Sequence, residues 1–233
     1  VTGTYLAFDF TLLNNIKVNT GVRYEYSKQD LSSKSLTNAD VNISPEYHDV
    51  LPSITVTWQP TNNMNVRAAF SKTLARPEFR ELAPFSYYDF IQNEIVQGNV
   101  DLKRSLINNF DFRYEFYPQR ASDLIAVSFF FKQFNDPIEQ VFLPSSSFEP
   151  IRSFKNAKTA NNYGIELEIR KSLDFISPVL NELAFSGNAS FIKSDIEFDQ
   201  AASSNSSTYQ ESTRQMQGQA EYVFNSGLYY DGY

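Results

Sequence analysis

Apolar and polar residues alternate along most of this chain with a period of two, the spacing of a β-strand that shows one apolar and one polar face. Ile16, Val18, Thr20, Val22, Tyr24 and Tyr26 fall on one side, and Lys17, Asn19, Gly21, Arg23, Glu25 and Ser27 on the other. Val50, Ile54, Val56 and Trp58 oppose Ser53, Thr55, Thr57 and Gln59. Met64, Val66, Ala68 and Phe70 oppose Asn65, Arg67, Ala69 and Ser71. The same rhythm sets Leu106, Phe110, Phe112, Tyr114 and Phe116 against Asn109, Asp111, Arg113 and Glu115. Tyr163, Ile165, Leu167 and Ile169 stand against Asn162, Gly164, Glu166, Glu168 and Arg170, and Leu183, Phe185, Ala189 and Phe191 against Ser186, Asn188 and Ser190. The run "LIAVSFFF" within Asp123–Phe134 is apolar nearly throughout; Ile125, Val127, Phe129 and Phe131 are assigned to its apolar face. With an opening strand near Tyr5–Leu12 and a last one near Gln217–Tyr230, the pattern predicts about nine strands and no helix-period segment.

The connections alternate short and long. Leu13–Asn15, Pro60–Asn63 and Pro118–Ser122 are short, with a looser one at Ile176–Glu182. Leu31–Tyr47, Glu81–Arg104, Pro144–Ala157 and Asp199–Gln215 are long and rich in Ser, Asn, Asp and Tyr. An up-and-down sheet with tight turns at one end and long loops at the other is the layout of an outer-membrane barrel, in which lipid touches the apolar face. Alternation by itself fits a soluble barrel with the apolar face inside equally well, so loop asymmetry, aromatic abundance and strands that outrun their apolar band carry the distinction. The stretch Ser71–Arg80 is predicted to continue the strand of Met64–Phe70 past the lipid, with Pro77 and Pro84 ending it.

Composition adds less. The chain has 233 residues, 21 Phe and 14 Tyr against 2 Met and 1 Trp, an abundance that suits aromatic membrane girdles or an aromatic core. A net charge of −7 with scattered basic residues gives no footprint for nucleic acid. Without cysteine there is no disulfide framework or thiolate chemistry. His48 is the sole histidine, placed in a loop before Val50, and no catalytic or metal-binding pattern surrounds it. No cofactor is expected. The chain starts without a leader and directly in a strand, which reads as an excerpt of a longer protein.

Four stretches resemble one family. "MNVRAAFSKTLARPEFRELAPFSYYDF" (Met64–Phe90), "QGNVDLKRSLINNFDFRYEFYP" (Gln97–Pro118), "NYGIELEIRKSLDF" (Asn162–Phe175) and "QMQGQAEYVFNSGLYYD" (Gln215–Asp231) are similar, in order, to barrel segments of TonB-dependent outer-membrane receptors. Val100 and Ser105 depart from that pattern, where proline (at Ser105, proline or threonine) is usual. The resemblance implies a single domain over residues 1–233: a middle-to-late slice of a barrel of about 22 strands whose lumen is filled by an N-terminal plug. It also implies outer-membrane lipid and the TonB complex as partners. The ligand would be a scarce one, a siderophore, vitamin or glycan. A passive porin or adhesin barrel, or a soluble all-β binding domain, are the alternatives.

Two sets of residues are candidates for function. Arg67, Asp111, Arg113, Glu115, Glu166, Glu168 and Arg170 would face the lumen, either pairing with one another and the plug or forming a hydrated passage. Tyr87, Tyr88, Phe90, Gln92, Asn93 and Glu94, in the long loop after Arg80, place aromatics beside amides. That suits a sugar or an iron chelate, and suits a self-packed loop equally.

Overall fold

The computed structural model describes residues 1–34, 38–118, 123–143, 151–198 and 213–230. Its strands are β1 (Thr2–Leu12), β2 (Ile16–Lys28), β3 (Leu31–Lys34), β4 (Asp40–Ile43), β5 (Glu46–Thr61), β6 (Met64–Ala75), β7 (Ser86–Asp89) and β8 (Glu94–Gln97), followed by β9 (Ser105–Phe116), β10 (Leu124–Asn135), β11 (Ile138–Leu143), β12 (Ile151–Asn156), β13 (Thr159–Ser172), β14 (Leu183–Glu197), β15 (Thr213–Arg214) and β16 (Tyr222–Tyr230). One antiparallel sheet runs β1-β2-β5-β6-β9-β10-β13-β14, and β14 ends it by pairing with both β15 and β16 along the same edge. Those two pieces make one interrupted strand, so the sheet has the nine strand positions that the alternation predicts.

Register carries the two faces across the whole sheet. Phe10, Val18, Val56, Ala68, Phe112, Phe129, Ile165, Phe191 and Tyr222 stand opposite one another, strand after strand. One residue along, Thr11, Lys17, Thr57, Arg67, Arg113, Ser128, Glu166, Ser190 and Val223 do the same on the polar face. A one-residue slip anywhere would mix the two rows, which is why the register is so strictly kept. Phe110, Phe112, Phe129, Leu167 and Ile169 are exposed on the apolar face, which therefore packs against no other layer among the described residues.

That apolar face is bounded. Phe70, Phe110, Phe131 and Tyr163 form its last aromatic row, and the next row is Lys72, Asn108, Gln133 and Asn161. At the other end the last apolar row is Met64, Phe116, Ile125 and Ile169. From Met64 to Phe70 is roughly 20 Å along the strand at about 3.3 Å per residue, and about a quarter less in height once strands tilt. The apolar band of an outer-membrane barrel is about 25 Å tall.

The tight turns share one end. Leu13 and Asn14 take positive φ (51° and 59°) to turn β1 into β2, and Asn62-Asn63 joins β5 to β6. Tyr117 N–H donates to Asn63 O, tying this turn to the end of β9. The predicted turn Pro118–Ser122 falls largely outside the described residues, as do residues 144–150 and 199–212 of the predicted long loops.

Four details differ from the sequence reading. Strand β6 stops at Ala75, short of Arg80, because Pro77 cannot extend it and Phe79–Leu82 forms a helical turn in which Glu78 N–H donates to Glu81 Oε2. The long connections are not plain loops: β3-β4 pair as a hairpin, and β7, β8, β11 and β12 make a second sheet. His48 lies within β5, on the apolar-face side, with Tyr24 Oη 2.6 Å from its Nδ1 and the Tyr26 ring 5.0 Å away. Finally, Ile176–Glu182 is not a loose connection, since it contains the 3₁₀ turn Pro178–Leu180 and directly follows another, Leu173–Phe175.

Beyond the last aromatic row the polarity inverts. On the polar-face side Phe134, Ala160 and Ile196 oppose one another and pack with Val141, Ala157, Phe198 and Met216, while Lys193, Asp195 and Glu197 on the other side are exposed. The strands outrun their apolar band by burying the opposite face under the loops.

Candidate functional site

On the polar face, Arg113 organises the predicted charges. Its Nε meets Glu115 Oε1 at 2.7 Å, its Nη1 donates to Ser128 Oγ at 3.0 Å, and its Nη2 reaches Glu168 Oε2 at 2.8 Å. Arg170 Nη2 adds a 2.8 Å bond to the other Glu168 oxygen. Four of the seven predicted lumen residues thus form one chain, Glu115–Arg113–Glu168–Arg170, crossing β9, β10 and β13. Ala126 lies directly between Glu115 and Glu168, and its small side chain leaves the passage over β10 open. The other three, Arg67, Asp111 and Glu166, make no ion pair among the described residues and line a depression of about 590 Å³ with Lys132 and Phe130. Phe130 lies over Gly164, where any Cβ would come within 2.8 Å of the ring.

At the loop end the wall parts. Pairing of β5 with β6 stops at Ser53↔Ser71, next to Pro52, which has no N–H to offer a neighbour. Beyond that point arginines bridge the strands. Arg76, following β6, bonds Glu25 and Ser27 of β2, and Arg104, preceding β9, places Nε 2.6 Å from Asp49 Oδ1 and its guanidinium 4.4 Å over the Tyr47 ring. Glu25 and Asp49 are buried acids; Arg104 is the counter-charge of Asp49, and Arg76 shares Glu25 with Arg23, whose Nη2 is 2.7 Å from Glu25 Oε2. The two ends of the connection 76–104 are therefore fixed to the polar face.

Above it, β8 pairs with β12 in parallel, through Ile95↔Ile151 and Val96↔Arg152, joining two separate connections into one sheet. Leu82, Val96, Leu102 and Phe154 form its core, with Leu31 and Ile43 of the β3-β4 hairpin, Tyr87 and Ile138 packed on it. Gly98 crosses over the helical turn so closely that a Cβ would strike the Ala83 carbonyl, and Asn99 N–H donates to Glu81 O. On the face of this sheet carrying Ser153 and Lys155 lies a cavity of about 760 Å³ edged by Asn99, Asp101 and Lys103.

The predicted loop residues sit at the edge of this sheet. Tyr87 faces its core, with the Arg80 guanidinium 5.9 Å from its ring. Tyr88 donates to Asn93 Oδ1 at 2.6 Å, and Asn93 turns the chain with φ 56°. Glu94 is buried, 2.8 Å from Arg152 Nε as an ion pair without hydrogen-bond alignment, and Gln92 Oε1 accepts from Arg152 Nη1 at 2.8 Å. Asp89 completes the ring of acceptors around Arg152. Phe90 and Ile91, 87% and 96% exposed, form the open tip, and Phe90 meets Tyr88 edge-on at 5.0 Å. Sequence reasoning missed Arg152, Arg76, Arg104, Glu25 and Asp49; a lone arginine in "PIRSF" and the Arg76-Pro77 pair at a strand's end were the available signals.

The family profile described as "TonB dependent receptor-like, beta-barrel" matches residues 1–233. The chain belongs to the TonB-dependent receptor β-barrel family. Members of this family are outer-membrane transporters, not enzymes. No curated protein matches the chain. Among solved structures, the siderophore receptor PirA of Pseudomonas aeruginosa superposes with a TM-score of 0.57 at 16% identity, over 84% of this chain and 34% of that one. The hemophore receptor HasR of Serratia marcescens, in complex with HasA and heme, gives 0.64 at 10% identity over 83% of this chain and 34% of its own. The ferric enterobactin receptor PfeA of Pseudomonas aeruginosa gives 0.62 at 14% identity, over 99% and 30%. The chain thus spans about a third of the length of these structures.

Proposed function

We propose that residues 1–233 form part of the wall, and four of the capture loops, of an outer-membrane receptor that imports a scarce ligand with energy from the TonB complex. The observation that carries this is the pairing of two opposed devices on one sheet. One is an apolar band bounded by polar rows, free of any covering layer among the described residues; the other is a polar face closed at one end by a cored loop sheet. The names of the structural neighbours, receptors for siderophores and for a heme-carrying hemophore, favour an iron-bearing ligand over a vitamin or glycan. Tyr88 and Phe90 at one edge of the loop sheet offer ring faces, and the cavity edged by Asn99, Asp101 and Lys103, set apart from them, offers polar groups for such a chelate. Arg67, Asp111, Glu166 and Lys132, outside the Arg113 chain, are the groups available to meet a plug from the preceding part of the receptor.

The test is uptake of radiolabelled ferric siderophores and heme by cells carrying the full-length receptor, its deletion, or a tonB deletion. Uptake of one chelate should vanish in both deletions. Uptake that survives loss of TonB would identify a passive barrel instead.

A further inference from the structure

The connection between β13 and β14 differs from the tight turns at the same end. Leu124 opposes Arg170 and Ile125 opposes Ile169, so the next pair, Asp123 and Lys171, lies on the same face as Ile125 and Ile169, just past the last apolar row. Asp123 is 1% exposed; Lys171 Nζ meets its Oδ2 at 2.6 Å, and Ser172 N–H donates to its Oδ1 at 3.0 Å. The Phe175 ring lies 5.8 Å from Lys171 Nζ, which brings the first 3₁₀ turn back over this outward face. Ser172 and Ser177 cap the two turns through Asp174 N–H and Val179 N–H, so the segment has a defined shape. It presents Phe175, Ile176 and Val179 to the surroundings, 66%, 62% and 86% exposed.

We infer that this segment is an interfacial foot, resting Phe175, Ile176 and Val179 in the periplasmic leaflet of the outer membrane. The occupant is lipid because the segment continues the apolar band on the same face, one row below Ile125 and Ile169. Folding the chain over the Asp123–Lys171 pair covers the first charged groups past the band and replaces them with apolar surface. The Asn62-Asn63 turn, by contrast, offers only amides to the same region. This inference rests on the membrane placement proposed above.

Environment-sensitive labels separate the two. In the full-length receptor, made free of other cysteines and reconstituted in phosphatidylcholine vesicles, a nitrobenzoxadiazole label is placed at Val179→Cys, Ile176→Cys, Asn62→Cys or Phe129→Cys. Nitroxide on the shallow part of the acyl chain should quench the labels at positions 179 and 176 several-fold more than at 62, and aqueous iodide should do the reverse. Iodide quenching at 179 equal to that at 62 would overturn the foot. Shielding from both quenchers would also overturn it, showing protein as the cover. Phe129→Cys, within the band, must be quenched by deep nitroxide; its failure would reject the membrane placement itself.

Discussion

Arg113 and Glu168 meet at 2.8 Å although a whole strand, β10, lies between theirs. The bridge exists because Ala126, opposite both Glu115 and Glu168, carries only a methyl group and does not block it. Ala126→Leu should therefore sever the charge chain and overpack the site, costing about 1–3 kcal/mol in urea unfolding of the full-length receptor. Ser128→Ala, which removes one neutral acceptor, should cost clearly less. Equal effects would mean that the bridge contributes nothing.

Arg152 holds the loop sheet together. Removing it leaves Glu94 buried without its cation, a change of about 3–5 kcal/mol where such a group cannot reach water. Arg152→Ala should raise hydrogen exchange in residues 86–97 and 151–156 by orders of magnitude while β9, β10 and β13 keep their protection. Exchange rising uniformly through the sheet would contradict an independent loop unit.

The predicted capture residues separate by position. Phe90 is an exposed tip, so Phe90→Ala should weaken ligand binding without altering loop exchange; a lost ring contact of about 1 kcal/mol is a several-fold change in Kd. Tyr87 packs on the loop core, so Tyr87→Ala should loosen the loop first and binding second. Unchanged affinity in the Phe90 variant would move capture away from this tip.

Glu139, of β11, is buried against Arg214 of β15. Burial pushes its carboxyl above the ordinary value by more than the Arg214 cation pulls it down. The folded loop then holds this proton to a higher pH than the unfolded loop does. Acidification from neutral through the raised value should stabilise the contact, with no further gain below the ordinary carboxylate value. A fluorophore at Phe142→Cys, followed in urea with and without Glu139→Gln, isolates the effect. The wild type should gain on the variant as pH falls, and a constant difference would contradict the assignment.

The large sheet was legible because one apolar and one polar face force a strict period of two. In β2, β6, β9 and β13 the alternation names the face of each residue correctly. The loop sheet was not legible. Its strands of four to six residues are partly covered on both sides, as Val96, Phe154 and Arg152 show, so no alternation marks them. The helical turn at Phe79–Leu82 had a sequence signal, Glu78 three residues before Glu81, overshadowed by the prolines around it. Among the candidate charges the face was readable, but the chain through Arg113 depends on Ala126, a residue that no charge pattern would single out.

The central claim is that the apolar face meets lipid and the polar face meets water or plug. Ile165 and Glu166 are neighbours in β13 on opposite faces. A spin label replacing each in turn, in the full-length receptor in bilayers, reads the environment by collision with oxygen and with a water-soluble nickel chelate. The label at Ile165 should respond to oxygen as a lipid-dissolved probe does and ignore nickel, while the one at Glu166 should not respond as lipid-exposed. A label at Ile165 shielded from both reagents would show a protein core on the apolar face and contradict the account.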